Sequence, residues 1–142
     1  MKYMAIIFND ESLYANATPE DIGAIFAAHG EFGEAAGKAG VLLGGDGLQP
    51  VATATTVRVR DDERLLTDGP YAETKEQLGG FYMLECKDLD EALAWAARIP
   101  EAKTGAIEVR PVMVYDEMPG GDGSERSGGE ASGRDRTEAT AS

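Results

Sequence analysis

Residues 18–40 have the sequence TPEDIGAIFAAHGEFGEAAGKAG, and this stretch predicts the first of two helices. Thr18 offers an N-cap hydroxyl, Pro19 suits the first helical position, and two carboxylates follow at the positive end of the helix dipole. Apolar side chains then recur every three or four residues until the helix ends near Gly40. We expect one face of this helix to pack on a sheet, and its members are Ile22, Ile25, Phe26, His29, Phe32 and Ala36.

Strand patterns lie on both sides of this helix. Residues 3–8 are dense in apolar and aromatic side chains, which is typical of a buried strand. Strand formers also dominate five later segments, which are 41–43, 53–60, 65–67, 81–86 and 107–115. Pro111 interrupts the last segment, so we place that strand at a sheet edge or a bulge. We interpret Gly44-Gly45-Asp46-Gly47 as a turn.

The second helix begins at the capping pattern Asp88-Leu89-Asp90-Glu91 and stops at Pro100. The predicted order of elements is therefore β-α-β-β-β-α-β. This α+β order favours a ferredoxin-like fold, in which both helices lie on one face of an antiparallel sheet. The other face stays bare, and two bare apolar faces stacked about 10 Å apart make a dimer. We therefore predict a homodimer.

The composition predicts one soluble domain with a tail. We place the folded domain at 1–118 and a disordered tail, rich in Gly, Ser and acidic residues, at 119–142. A net charge of −13 argues against binding to nucleic acid or to an anionic membrane surface, because both require clustered Lys and Arg. No segment approaches the roughly 20 apolar residues of a membrane span. Cys86 has no second cysteine to pair with, so we expect a cytoplasmic protein.

Two features of the sequence offer side chains suited to chemistry. His29 is the single histidine and lies on the inward side of the first helix, where an imidazole can act as a general base. The alternative for His29 is a hydrogen-bonded packing residue. Asp68-Gly69-Pro70 has the composition of a plain turn, but residues 71–80 then place polar groups of both signs between two buried strands. Loops held by rigid strands commonly carry sites.

The most informative block is residues 67–82, TDGPYAETKEQLGGFY. It resembles the signature of the DGPF branch of the YCII-related family, a group found in bacteria. Three further segments resemble the same group, and these are 44–50, 88–93 and 107–111. The resemblance covers residues 1–115 and leaves out only the tail.

The resemblance implies a dimeric ferredoxin-like α/β barrel with a pocket between the first helix, the sheet and the signature loop. It also implies an acid/base dyad, made by a histidine of the first helix and an aspartate that precedes a proline just after the second helix. His29 fits the first position. At the second position the chain has Arg98-Ile99-Pro100-Glu101, so Ile99 stands where the carboxylate is expected. We therefore predict Asp68 as the carboxylate that orients His29.

We expect five further residues to bind the ligand of such a pocket. Glu73, Lys75 and Arg110 would orient its polar part, and Tyr71 and Phe81 would line its apolar part. Each has a structural alternative: a loop salt bridge for the first two, a surface charge for the arginine, and core packing for both aromatic residues.

Two functions follow from these features. The first is an enzyme that transfers a proton on a small oxygen-bearing or aromatic molecule, with His29 and Asp68 as catalytic residues and with no cofactor or metal. One histidine is too few for a typical zinc site, and no Gly-rich phosphate loop follows a strand. The second is a non-catalytic regulator that binds an effector, because the resemblance associates DGPF proteins with extracytoplasmic-function sigma factors. An acidic protein is suited to a basic surface on such a partner.

Overall fold

The computed structural model describes residues 1–117, and the tail predicted for 119–142 lies outside the described residues. Residues 1–112 form one compact unit. Its six strands and two helices are β1 (Lys2–Asn9), α1 (Pro19–Lys38), β2 (Leu42–Gly47), β3 (Thr55–Arg60), β4 (Glu63–Asp68), β5 (Gln77–Glu85), α2 (Leu89–Ala96) and β6 (Ala106–Pro111). Short 3-10 turns occur at Glu11–Tyr14, Val51–Thr53, Pro100–Ala102 and Tyr115–Glu117.

Four of the strands form one antiparallel sheet in the order β2-β5-β1-β6. This order, with α1 between β1 and β2 and α2 between β5 and β6, is the ferredoxin-like arrangement, so the predicted α+β fold is confirmed. Strands β3 and β4 pair only with each other, as a separate hairpin. Four strands lie between the helices, which agrees with the four segments of strand formers at 41–43, 53–60, 65–67 and 81–86 and corrects the order β-α-β-β-β-α-β, which counts only three. Pro111 ends β6, which is an edge strand as expected.

Both helices begin at the residues that the sequence indicates. Thr18 and Asp21 form a reciprocal capping box, in which the Thr18 hydroxyl accepts a hydrogen bond from the Asp21 amide at 3.1 Å. The Asp88 carboxylate accepts from the Glu91 amide at 2.9 Å and starts α2. These side chains satisfy backbone donors that have no partner inside the helix.

The core lies between the helices and one face of the sheet. Alternate residues of β1 point into it, and buried residues of both helices meet them, which places α1 and α2 on the same face. The core residues are Tyr3, Ala5, Ile7, Phe32, Ala36, Val41, Leu84, Cys86, Ala92, Ala96 and Ile99. Among the described residues, no helix is both long and apolar enough to cross a bilayer.

Only the C-terminal half of the apolar face of α1 packs into this core. Phe32 and Ala36 are buried, at 3% and 0% exposure, whereas Ile22 and Phe26 are 37% and 72% exposed. The expectation that the whole face packs on the sheet is therefore wrong for the first two turns. Those turns face a cavity instead.

Gly44-Gly45-Asp46-Gly47 belongs to strand β2 and does not form the expected turn. Gly45 pairs with Tyr82 of β5, and a Cβ at Gly45 would lie 2.8 Å from the Tyr82 ring and even closer to the Phe81 carbonyl oxygen. At Gly80 a Cβ would lie 2.6 Å from the Asp46 carbonyl oxygen. The glycines thus let β2 approach β5 closely and leave room for the Tyr82 ring.

Candidate functional site

A cavity of about 700 Å³ opens on the helix face of the sheet. Strands β1, β2 and β5, the first half of α1 and the two 3-10 turns Glu11–Tyr14 and Pro100–Ala102 contribute its walls. Much of the wall is apolar, with Ile7, Ile22, Ile25, Phe26, Leu48 and Pro50. Its volume lies within the range of small-molecule sites, roughly 300–1,000 Å³.

His29 lies in this wall between two hydrogen-bonding partners. Its Nδ1 atom is 2.7 Å from the Tyr82 hydroxyl, and its Nε2 atom is 2.8 Å from Oε2 of Glu101. The side chains of His29 and Glu101 are only 23% and 12% exposed. The three residues form a hydroxyl–imidazole–carboxylate chain, the arrangement that holds a catalytic histidine in one orientation.

The protonation states in this chain follow from its geometry. Burial favours the neutral acid of Glu101, but the hydrogen bond and the charge of His29 outweigh it, so the pKa of Glu101 is lowered. An ionised carboxylate only accepts hydrogen bonds, so Nε2 of His29 carries a proton, and in the neutral form of the ring Nδ1 accepts from the Tyr82 hydroxyl. Burial, and then the charge of Glu101, raise the pKa of the Tyr82 phenol, which therefore keeps its proton at neutral pH.

Asn9 and Tyr14 form a second group of hydrogen-bonded side chains in the cavity wall. Asn9 is 6% exposed, and its amide nitrogen donates to the Tyr14 hydroxyl at 2.7 Å and to the Thr104 hydroxyl at 3.0 Å. Burial and the charge of Glu101 also raise the pKa of Tyr14. The wall therefore contains two neutral phenols, Tyr14 and Tyr82, and the carboxylate of Glu101.

Glu101 reaches this position because of the turn that follows α2. Ile99 is 1% exposed and belongs to the core, and Pro100 then starts the 3-10 turn that directs Glu101 toward His29. The backbone amide of Gly105 donates to the Glu101 carbonyl at 2.8 Å and closes the turn. Ile99 occupies the position where the family resemblance predicts a carboxylate, and a glutamate two residues later supplies that group.

Asp68 is not the partner of His29, which corrects our prediction. It lies in β4, exposed, where it pairs with Thr55 of the separate hairpin, and it is not part of the cavity wall. Both ring nitrogens of His29 are already bonded to Tyr82 and Glu101. The turn chemistry of Asp68-Gly69-Pro70 explains its position at the end of a strand, since Gly69 has a φ of 112°.

The five predicted ligand-binding residues do not come together around His29. Tyr71 is 83% exposed, and the Arg58 guanidinium lies 5.7 Å from its ring centroid. Glu73 lines a second, smaller pocket next to Pro70, and Lys75 is exposed in the same loop.

Arg110 lies on β6, where it forms an exposed ion pair with Glu108 at 2.8 Å. Only Phe81 contributes to the wall of the cavity. Its register opposite Ile6 directs its side chain to the other face of the sheet, so its contribution is mainly backbone.

Sequence reasoning missed Tyr82, Glu101, Tyr14 and Asn9. Alternation along β5 contains the signal for Tyr82, because it lies two residues before the buried Leu84 and shares its face. Glu101 follows the proline that stops α2, close to the expected carboxylate position. Nothing local marks Asn9 or Tyr14, because both follow the strand predicted for residues 3–8, in a segment with the composition of an ordinary loop.

Comparison with known proteins agrees with the signature block at the level of the whole family. The profile of the YCII-related domain matches residues 1–116. An uncharacterized protein of Rhizobium meliloti (strain 1021) is 39% identical over 130 residues, which cover 84% of this chain and 99% of that protein. The match to the family profile spans the sheet, both helices and the residues that surround His29. The chain therefore belongs to the YCII-related family.

Proposed function

We propose that the cavity binds a small, mostly apolar, oxygen-bearing molecule and that His29 transfers a proton to or from it without a cofactor. The observation that supports this proposal is the Tyr82–His29–Glu101 chain in the wall of a cavity of about 700 Å³. Structural histidines also form hydrogen bonds, but they do not require an open apolar cavity beside them. Here Glu101 replaces Asp68 as the orienting carboxylate.

The proton path follows the hydrogen bonds. An acidic X–H group of the ligand gives its proton to the Tyr82 oxygen, while the Tyr82 hydroxyl gives its own proton to Nδ1 of His29. Imidazolium then forms next to Glu101, whose negative charge stabilises it. Return of the proton to a different atom of the ligand completes an isomerisation. A ligand hydroxyl that displaces Tyr82 can also donate to Nδ1 directly.

Deuterium exchange tests this proposal without knowledge of the natural substrate. We suggest 1-tetralone, a neutral bicyclic ketone with exchangeable α-protons, incubated with the protein in D₂O and followed by NMR. The wild-type protein is expected to accelerate exchange over buffer, and His29→Ala is expected to remove the acceleration. Asp68→Asn is the matched control, because Asp68 lies outside the cavity wall and its substitution leaves exchange unchanged.

Two results would count against the proposal. Equal exchange in the wild type and in His29→Ala would show that His29 moves no proton. Saturable binding of 1-tetralone in the cavity without any exchange would favour the alternative function, an effector-binding regulator. For that case we propose the sigma-factor partner that the family resemblance suggests, with the acidic surface of the chain as the contact.

We also propose that the chain is a homodimer that stacks through the open face of its sheet. Residues of β1 and β5 on this face are apolar and only half-buried in one chain, and they pair as Met4–Met83 and Ile6–Phe81. Sedimentation equilibrium is expected to give twice the chain mass of 15.0 kDa. Met83→Lys is expected to shift the protein to the monomer, and a monomeric wild type would refute the proposal.

A cytoplasmic location remains part of the proposal. It is supported by Cys86, whose thiol is unpaired and 2% exposed in the core. Fractionation of cells that produce the protein tests this location.

A further inference from the structure

The charges in the wall of the His29 cavity have one sign. Glu11, Asp46 and Glu101 belong to the wall, and among the described residues no Lys or Arg does. Glu101 is paired with His29. Glu11 is held in place, because its Oε2 atom accepts from the Val51 amide at 3.0 Å and its own amide donates to Gln77 at 2.8 Å.

The first half of α1 carries no Lys or Arg that could offset these charges. The first half of α1 forms part of the wall, but its first turn contains Glu20 and Asp21, which counter the positive end of the helix dipole. A cavity with apolar walls focuses the field of its charges, so the negative potential inside exceeds that at an open surface. Glu101 also has an oxygen, Oε1, that is buried without a hydrogen-bond partner among the described residues.

We infer that the cavity selects neutral or cationic ligands, most strongly those that carry an O–H or N–H donor, and rejects carboxylates and phosphates. The walls supply apolar contact, and the carboxylate oxygens of the wall only accept hydrogen bonds. An anionic ligand enters a negative site in which His29, the one side chain of the described wall that can become a cation, is already paired with Glu101. This inference rests on the proposed function of the cavity, and it narrows the substrate class to uncharged or positively charged molecules such as phenols, enols and amines.

Three probes of similar size test the selection by charge. They are 2-naphthol, 2-naphthylmethylamine and 2-naphthoate, titrated at about pH 7.5 into ¹⁵N-labelled protein at about 0.15 M salt. Amide signals of the cavity wall report where each probe binds. The neutral and cationic probes are expected to bind at least about tenfold more tightly than the anion, a ratio that corresponds to one moderate charge interaction.

Matched variants test whether the selection by charge comes from the cavity wall or from the overall net charge of −13. Glu11→Gln keeps an acceptor for the Val51 amide and removes one charge from the wall, so the ratio of naphthol to naphthoate affinity is expected to fall about threefold or more. Glu101→Gln is a second variant of the same kind. Glu31→Gln removes an exposed charge of α1 outside the wall and is expected to leave the ratio unchanged.

The outcomes separate this inference from the proton-transfer proposal. Naphthoate binding as tightly as naphthol would overturn the selection by charge, and so would a ratio that Glu31→Gln lowers as much as Glu11→Gln does. Failure of all three probes to shift signals of the cavity wall would overturn it as well. None of these results depends on turnover, which the deuterium exchange of 1-tetralone measures separately.

Discussion

The contact between His29 and Glu101 predicts which nitrogen of the imidazole carries the proton, and Glu101→Gln is the substitution that changes it. In the wild type the ionised carboxylate lies 2.8 Å from Nε2, so the neutral ring holds its proton there. The Tyr82 hydroxyl, 2.7 Å away, then donates to Nδ1. A glutamine at this position can offer either its oxygen or its amino group, so the preference is expected to weaken.

The size of the effect follows from the same distances. In the opposite tautomer the bare Nε2 would face a carboxylate oxygen, and a hydrogen bond to a charged group would be lost, at a cost of about 1.5–3 kcal/mol. Since about 1.4 kcal/mol is a tenfold change in population, the Nε2–H form is expected to exceed the other at least about tenfold. Replacing the charged acceptor by a neutral one removes about half of this free energy.

Long-range ¹H–¹⁵N correlation spectra measure the tautomer directly. His29 is the sole histidine, so tag-free protein gives one imidazole pattern that needs no assignment. The spectrum is best recorded at about pH 9, where the raised pKa of Tyr82 keeps the phenol protonated. A wild type with mainly Nδ1–H, or the same tautomer ratio in Glu101→Gln and in the surface control Glu31→Gln, would refute the reasoning.

Three predictions concern stability and are measurable by urea unfolding. The pKa of Glu101 is lowered in the folded state, so its contribution to stability is present above the ordinary pKa of 4.5 and is lost as the pH falls below that value. The free energy of unfolding of the wild type is therefore expected to exceed that of Glu101→Gln by about 1–3 kcal/mol at neutral pH and to equal it in acid. Phe32→Ala is expected to lower the free energy of unfolding by about 3–5 kcal/mol, and Phe26→Ala by less than about 0.5 kcal/mol. Equal losses would contradict the finding that only the C-terminal half of α1 packs into the core. Gly45→Ala is expected to lower the free energy of unfolding by about 1–3 kcal/mol, because the new Cβ would overlap with β5. Gly23→Ala has open space around it and is expected to stabilise α1 by up to about 1 kcal/mol. Unchanged stability of Gly45→Ala would show that β2 can move away from β5.

Much of the fold was predictable because local signals and packing agree. The capping box at Thr18 and the cap at Asp88 mark the helix starts, and the alternation along β1 marks a face that must be buried. The glycines of β2 were misinterpreted because a glycine run has the same composition in a turn and in a strand that approaches its neighbour closely. Only the pairing of Gly45 with Tyr82 distinguishes the two cases.

The candidate site was predictable in part. His29 was identified because it is a lone imidazole on an apolar helix face. Its partner was not, because the contact between His29 and Glu101 joins residues 72 positions apart and depends on how the turn after α2 is directed. Asp68 was chosen for its position at the end of a strand, but that strand belongs to a hairpin outside the main sheet.

The different burial of the two halves of α1 has a consequence for how the sequence of this protein can diverge in evolution. Phe32 and Ala36 hold the helix to the sheet, while Ile22, Ile25 and Phe26 face the cavity and are at least partly exposed. Substitutions in the first two turns can therefore alter ligand preference at little cost in folding free energy, whereas the last turns tolerate few. A single helix thus separates the part of the chain that is free to diversify from the part that must be kept.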